Sequence, residues 1–153
     1  MEDLSEFSTS VVRLFPDYAG SPVWFSEPVP YEVSRLSGDL VRDLQVWEES
    51  YYRGLDKEFA WRSDAMRSAF TVEGKRLARW LADELGDEFS VEYDNPAMSG
   101  KHRVRGSGPP RNPSAAAAFR QLANDAQAEH DRIRRIADQA RREGGTLEWR
   151  AYY

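Results

Sequence analysis

A glycine- and proline-rich segment, residues 95–113, is the feature that most constrains how this chain can fold. Seven of its positions are glycine or proline, which interrupt helices and strands and favour turns. The segment therefore predicts a loop with room for one short strand, near His102–Arg105. We divide the chain into an acidic α+β core at 1–94, this basic loop, and a long helix with a terminal strand at 114–153 that completes the same domain.

Apolar side chains at helical spacing predict two helices before the loop. The first covers residues 38–53 after Ser37 as N-cap, and the second runs from the N-cap Ser63 to Gly86. Gly74 in the second helix has two equal interpretations: another backbone passes close to it, or the helix simply tolerates a glycine at this position. The apolar faces consist of Leu40, Leu44, Trp47 and Tyr51 in the first helix and Met66, Phe70, Leu77, Leu81 and Leu85 in the second.

Short β-favouring runs predict a small sheet. Its strands are expected near 11–15, 23–25, 89–93 and 146–152. The alternation of apolar and polar residues over 89–93 is typical of a half-buried strand. Together with the helices, these runs indicate an α+β fold in which a small antiparallel sheet packs against three main helices, the last one long.

The connections between these elements carry expectations of their own. Pro28 and Pro30 fix the backbone and lack an N–H, so we expect an extended surface segment up to Leu36. The link between the first two helices contains Phe59 and Trp61, which we expect to fold back onto the core.

The third helix begins at Ser114 and ends before Gly144. Continuous, it would be about 44 Å long at 1.5 Å per residue, so part of it is expected to project or bend. Such a helix suggests a homo-oligomer through residues 114–143. Its predicted apolar seam contains Phe119, Leu122, Ala126, Ile133, Ile136 and Ala140.

The composition of the chain excludes or disfavours several classes of protein. The chain has no cysteine, which excludes disulfides, thiol catalysis and cysteine-bound zinc. It has neither a long apolar run nor a basic N-terminus followed by an apolar stretch, so a cytosolic protein without a membrane segment is expected. Residues 1–94 hold 20 acidic and 10 basic side chains, and residues 95–124 hold five basic and no acidic ones. This polarity disfavours a nucleic-acid partner.

The two histidines give no catalytic constellation. His130 lies between Glu129 and Asp131, which point to different sides of a helix and form no metal site. Local sequence places no serine or carboxylate beside His102. We therefore predict no catalytic residue, no metal and no cofactor.

The basic loop is the strongest candidate for ligand binding. Guanidinium groups among flexible glycines suit phosphate or carboxylate capture. The same charges alternatively pair with the acidic core of the protein. Both interpretations stay open at this point. The anion-binding candidates are Lys101, His102, Arg103, Arg105 and Arg111.

Acidic helical faces and exposed aromatic rings predict a binding surface for a basic protein. Aromatic residues are enriched at interface hot spots, and complementary charge steers association. The candidates for contact with this partner are Trp24, Asp39, Asp43, Glu49, Tyr52 and Trp61.

The runs 14–18, 23–25, 40–48, 81–86 and 91–93 form a pattern of core and turn residues. In this pattern the first part of the chain resembles a group of small acidic proteins from actinobacteria and phages. The resemblance covers residues 14–93 and lies in core and turn positions, so no functional residue carries over from it. Some proteins of this kind look like immunity proteins that neutralise a toxin, which implies a protein partner.

Three functional hypotheses follow. The first is a non-enzymatic protein-binding module, an immunity-type or phage-encoded inhibitor of a basic partner. The second is an enzyme that binds a phosphate or another anion through residues 101–111. The third is an assembly protein that oligomerises through its C-terminal helix.

Overall fold

The structure is a computed structural model that describes residues 10–94 and 100–144. This part of the chain forms four strands and four helices, and its fold is α+β, as predicted. In chain order they are β1 (Val11–Leu14), β2 (Val23–Trp24), α1 (Tyr31–Ser34), α2 (Gly38–Gly54), α3 (Asp64–Leu85), β3 (Ser90–Asp94), β4 (Lys101–Arg105) and α4 (Pro113–Arg142). The terminal strand predicted at 146–152 lies outside the described residues.

The four strands form one mixed sheet in the order β2-β1-β3-β4. β1 pairs with β2 in the antiparallel sense and with β3 in the parallel sense, while β3 and β4 are antiparallel. The prediction of an antiparallel sheet was therefore wrong for the central pair. The helices α1 to α3 lie between β1 and β3 in the chain, and they supply the long crossover that a parallel pair requires.

One face of the sheet packs into the core. Val12, Leu14 and Val91 are buried, and they belong to one hydrophobic cluster with Leu77 and Leu81 of α3. Successive strand residues point to opposite faces. The other face therefore carries Arg13, Glu92 and Arg103, which lie opposite one another on β1, β3 and β4.

The caps of α2 and α3 are those predicted from the sequence. The Ser37 side chain accepts from the N–H of Leu40, and Ser63 accepts from the N–H of Met66. The backbone N–H of Gly86 closes α3 on the carbonyl of Ala82. Most of the predicted apolar positions are buried, but Met66 in the first turn of α3 is exposed.

Gly74 of α3 lies against a side chain and not against another backbone. A β-carbon there would lie 3.0 Å from Cζ2 of Trp47, so the small residue makes room for the indole. A second expectation was also wrong. The segment before Leu36 contains the short helix α1, in which the N–H groups of Val33 and Ser34 donate to the carbonyl of Pro30. Proline favours helix starts because it has no N–H to satisfy.

Asn112 is the N-cap of α4, and its side chain accepts from the N–H of Ala115. Its buried residues, Ala115, Ala116, Phe119 and Ala123, all belong to the first half of the helix. The predicted apolar seam continues beyond them, but Ile133 is 56% exposed and Ile136 is similar. The second half of α4 thus presents apolar side chains to solvent.

A buried carboxylate joins the N-termini of α2 and α4. Glu84 of α3 is only 5% exposed. Its Oε1 accepts from the backbone N–H of Ser37 at 2.9 Å and from Nδ2 of Asn112 at 2.8 Å, and its Oε2 accepts from the Ser37 hydroxyl. Because Ser37 and Asn112 are the N-caps of the two helices, one side chain sets their relative position.

No helix among residues 10–94 and 100–144 combines the length and apolar character needed to cross a membrane. The cytosolic location stays a prediction.

Candidate partner-binding surface

The basic residues of the loop are held by internal partners on the outer face of the sheet. Arg103 Nε lies 3.0 Å from Glu92 Oε2, and Lys101 Nζ lies 3.8 Å from Glu92 Oε1. The Arg105 guanidinium donates to the carbonyl of Asp87 and to the hydroxyl of Ser90. These contacts agree with the alternative in which the loop pairs with the acidic core.

The other two anion-binding candidates lie elsewhere. His102 points to the opposite face of β4 from Arg103, where its ring centroid is 5.9 Å from that of Tyr93. Its Nε2 is buried without a hydrogen-bond partner among the described residues. Arg111 lies beyond β4, where its backbone N–H donates to the carbonyl of Asp83. The structure does not bring the five side chains to one point, and anion binding stays a prediction.

The acidic candidates on α2 each lie beside a cation. Asp39 contacts Arg42 at 2.7 Å, and Glu49 lies 3.8 Å from Arg53 within the same helix. Asp43 contacts Arg76 of α3 at 2.7 Å. Exposed pairs of this kind contribute little to stability, about 0 to 1 kcal/mol each, so their carboxylates can exchange partners at small cost.

The aromatic candidates divide into two places. Trp24 stacks on Phe15 with ring centroids 4.9 Å apart, and its Nε1 donates to the carbonyl of Phe15. This tryptophan is therefore fixed against β1. Tyr52 and Trp61 lie together at the C-terminal end of α2, where both are linked through the ring of Tyr51.

A chain of six aromatic rings extends from the core to the surface at this end of the molecule. Trp47 is buried and stacks on Phe70 with centroids 4.6 Å apart. Phe70 contacts Tyr51 and Trp61. At the outer end, the ring of Tyr18 lies 4.6 Å from that of Tyr52. We call this set the aromatic cluster: Tyr18, Trp47, Tyr51, Tyr52, Trp61 and Phe70.

Two exposed aromatic residues adopt a left-handed backbone. Tyr18, in the turn between β1 and β2, has φ 49° and is 68% exposed; Phe59, between α2 and α3, has φ 61° and is 69% exposed. Bulky residues rarely adopt positive φ, and such conformations concentrate at functional sites. The prediction that Phe59 folds onto the core was wrong, and Tyr18 was not predicted as a binding residue.

Hydrogen bonds hold both turns in place. The backbone N–H of Tyr18 donates to the hydroxyl of Tyr52 at 2.7 Å. In the other turn, a carboxylate oxygen of Asp56 accepts from the N–H groups of Glu58 and Ala60. The two exposed rings are thus carried by ordered backbone, which lowers the entropy lost when a partner binds.

Carboxylates adjoin the aromatic cluster. Burial, followed by the neighbouring Tyr18 and Asp17, raises the pKa of Tyr51. Burial and the neighbouring Glu49 raise the pKa of Glu48, and the Glu48 carboxylate contributes in turn to a raised pKa of Tyr52, whose largest cause is burial. Carboxylates of Asp17 and Glu48 therefore lie close enough to act on the hydroxyls of Tyr51 and Tyr52.

Replacing Glu48 with glutamine is expected to stabilise the protein increasingly as the pH rises above 4.5, the ordinary pKa of this carboxyl. Because its pKa is raised in the folded state, the native protein binds the proton more tightly, and wild-type stability falls as the pH rises through the folded pKa. The gain should stay below about 1 kcal/mol because the side chain is partly solvated.

Urea denaturation of wild type and Glu48→Gln, measured from pH 4.5 upward, gives the gain in the free energy of unfolding. Glu58→Gln, which removes an exposed carboxylate from the turn between α2 and α3, is the control for loss of one charge. A gain that does not vary with pH, or an equal gain in the control, would contradict the assignment of Glu48.

No three histidine or carboxylate side chains within the described ranges are arranged to hold a metal ion.

These features define a small α+β protein whose exposed aromatic and acidic side chains suit contact with another protein. Residues 10–96, more than half of the chain, match the family model described as Serratia CdiI immunity protein-like, and the chain belongs to this family. No curated protein and no solved structure matches it. The predicted immunity-type character is confirmed at the level of the family. The actinobacterial or phage origin stays a prediction.

The match covers the elements from β1 to β3 and ends two residues after β3. The aromatic cluster lies entirely within the matched residues. β4 and α4 follow them, although Phe119 of α4 belongs to the same hydrophobic cluster as the matched core.

Proposed function

We propose that this protein is an immunity-type inhibitor that binds a basic protein toxin through the aromatic cluster and Phe59. The observation that carries the proposal is the continuous contact of rings from buried Trp47 to exposed Tyr18. Family membership supports a protein partner of the toxin class.

The packing of the cluster supports a binding role. Interface hot spots are enriched in tyrosine and tryptophan, which bury a large area at a low cost in side-chain entropy. Tyr18 and Phe59 remain largely exposed although each belongs to an ordered turn. A partner that covers them would bury apolar area without reorganising the backbone.

The charges support a basic partner. Asp17 and Glu48 adjoin the rings of Tyr51 and Tyr52, and the matched core carries more acidic than basic residues. Arginine and lysine side chains of a partner could contact the carboxylates and the faces of the rings together, since cation–π contact is attractive. Association is then expected to weaken as salt is raised.

The test begins with capture of a toxin from a lysate on the immobilised chain at low salt, followed by titration calorimetry with the purified toxin. Replacing Tyr18 by asparagine removes the ring while keeping a residue that tolerates positive φ. We expect Tyr18→Asn and Phe59→Asn each to weaken the affinity by about tenfold or more.

Val72→Asn is the matched control, because Val72 is 70% exposed on α3 and lies outside the cluster. Its affinity should match that of the wild type. If neither Tyr18→Asn nor Phe59→Asn changes the affinity for a toxin that the wild type binds, the toxin uses another surface. If no basic toxin binds at low salt, the functional proposal itself fails.

A further inference from the structure

A groove of about 640 Å³ lies between the segment 25–33 and the middle of α4. It shares no residue with the aromatic cluster. Its apolar lining includes Val29, Pro30 and Val33 on one side and Leu122, Ala126 and Ile133 on the other.

The groove is apolar at its base and along its open edge. Val29 is buried within it, whereas Val33 and Ile133 remain largely exposed. Leu122, Ala126 and Ile133 follow one face of α4 over about 16 Å, or three helical turns. Ile136 continues the exposed apolar face by one further turn. Contiguous exposed apolar surface of this kind marks interaction sites.

The titratable residues that line the groove are three carboxylates and one histidine. Glu27, Asp125 and Glu129 line it, together with His130. Glu129 is paired with Arg132 at 2.6 Å, and Asp125 accepts from the neutral amide of Gln121. Negative charge therefore remains along the apolar groove, and it complements a cationic occupant.

The backbone of the groove wall disfavours an extended peptide. Pro28 and Pro30 have no N–H, and the N–H of Val29 already donates to the carbonyl of Val23 at 2.8 Å. A strand added along these residues would find no backbone donor. An occupant must instead bind through its side chains, as an amphipathic helix does.

We propose that this groove binds a cationic amphipathic helix of another protein. Its apolar face lies against Val33, Ala126 and Ile133, and its lysine or arginine side chains reach Glu27 and Asp125. A second copy of this chain docked groove to groove would bring the same carboxylates together, which opposes that occupant. The proposal stands independently of toxin binding at the aromatic cluster.

The test uses the full chain and a fluorescent leucine/lysine amphipathic peptide of about 14 residues, long enough to form a helix on binding. Fluorescence anisotropy measures its affinity. We expect Ile133→Asp to weaken binding by about tenfold, because the apolar contact is lost. Val72→Asp adds the same negative charge at an equally exposed position of α3 and should bind as the wild type does.

The Val72→Asp control distinguishes binding in the groove from general electrostatic attraction. One added carboxylate by itself would strengthen the binding of a cationic peptide. Equal affinities of Ile133→Asp and wild type, or equal losses in both variants, would overturn the proposal. If a matched leucine/glutamate peptide binds as tightly as the leucine/lysine peptide, the inference that the groove selects a cationic helix is wrong. A wild-type dimer that Ile133→Asp dissociates in light scattering would assign the groove to a second copy instead. The Tyr18→Asn variant should bind the peptide with wild-type affinity. A loss of toxin binding at the aromatic cluster can therefore be distinguished from a loss of peptide binding at the groove.

Discussion

Replacing Glu84 with alanine is expected to lower the free energy of unfolding by about 3 kcal/mol. The carboxylate is buried and accepts three hydrogen bonds, two from Ser37 and one from Asn112. The substitution leaves these partly buried donors without their acceptor and opens a cavity beneath the first turns of α2 and α4. For a domain of this size the melting temperature should fall by roughly 8 °C.

Glu88→Ala is the matched control. It removes a glutamate close in sequence that also contacts α4, but through an exposed pair with Arg120 at 3.2 Å, and it should cost less than about 1 kcal/mol. Glu84→Gln, which keeps the size and one acceptor oxygen, should fall between the two. Urea denaturation measures all three. Equal stabilities of Glu84→Ala and Glu88→Ala would show that the buried carboxylate does not hold the two helices.

Gly106→Ala is expected to destabilise the protein by about 2–3 kcal/mol. A β-carbon at Gly106 would lie 2.5 Å from the carbonyl oxygen of Ala82 and 2.9 Å from the carbonyl carbon of Gly86. Both are backbone atoms and cannot swing aside, so the end of β4 must move away from α3. The Ala82 oxygen also accepts from the N–H of Gly86, so the movement disturbs the C-terminal cap of α3 as well.

Gly108→Ala provides the comparison, because nothing lies within 4 Å of a β-carbon at that position. Its unfolding free energy should stay close to that of the wild type or rise slightly, since alanine restricts the unfolded chain more than glycine does. The denaturant midpoints of the two variants, compared with that of the wild type, test this prediction. If Gly106→Ala is as stable as Gly108→Ala, the end of β4 is not packed as closely on α3 as the structure places it.

The helices could be predicted because their signals are local. Ser37 and Ser63 cap the helices that they were expected to cap, and Gly86 ends α3. A cap and an apolar spacing depend on residues within a few positions of each other. The spacing also places Ile133 on the apolar face of α4. Spacing alone does not show which part of the protein covers that face, so the exposure of Ile133 could not be predicted from it.

The sheet was predicted less completely. The strands near residues 11, 23 and 89 are present, but the parallel pairing of β1 with β3 was missed. Pairing partners far apart in sequence leave no local sign of their direction. The burial of Glu84 escaped prediction for a similar reason: its hydrogen-bond partners, Ser37 and Asn112, belong to distant parts of the chain.

Two of the aromatic residues predicted from the sequence to contact a partner belong to the aromatic cluster. Tyr52 and Trp61 were chosen from the sequence, and the structure links both through Tyr51. Tyr18 and Phe59 were not chosen because local composition predicts a turn without predicting positive φ for a bulky residue. Asp39 and Asp43 lie nearer the start of α2, so their part in partner contact stays a prediction.

The parallel pairing has a consequence during synthesis. β1 lies between β2 and β3, and its parallel partner follows about 80 residues later, a long loop closure that slows folding. A nascent chain that has emerged only as far as α3 exposes one edge of β1, and the turn that displays Tyr18 follows directly from that strand. The sheet that anchors this turn should therefore be complete only once β3 has left the ribosome, so the ordered display of Tyr18 would lag behind translation of Tyr18 itself.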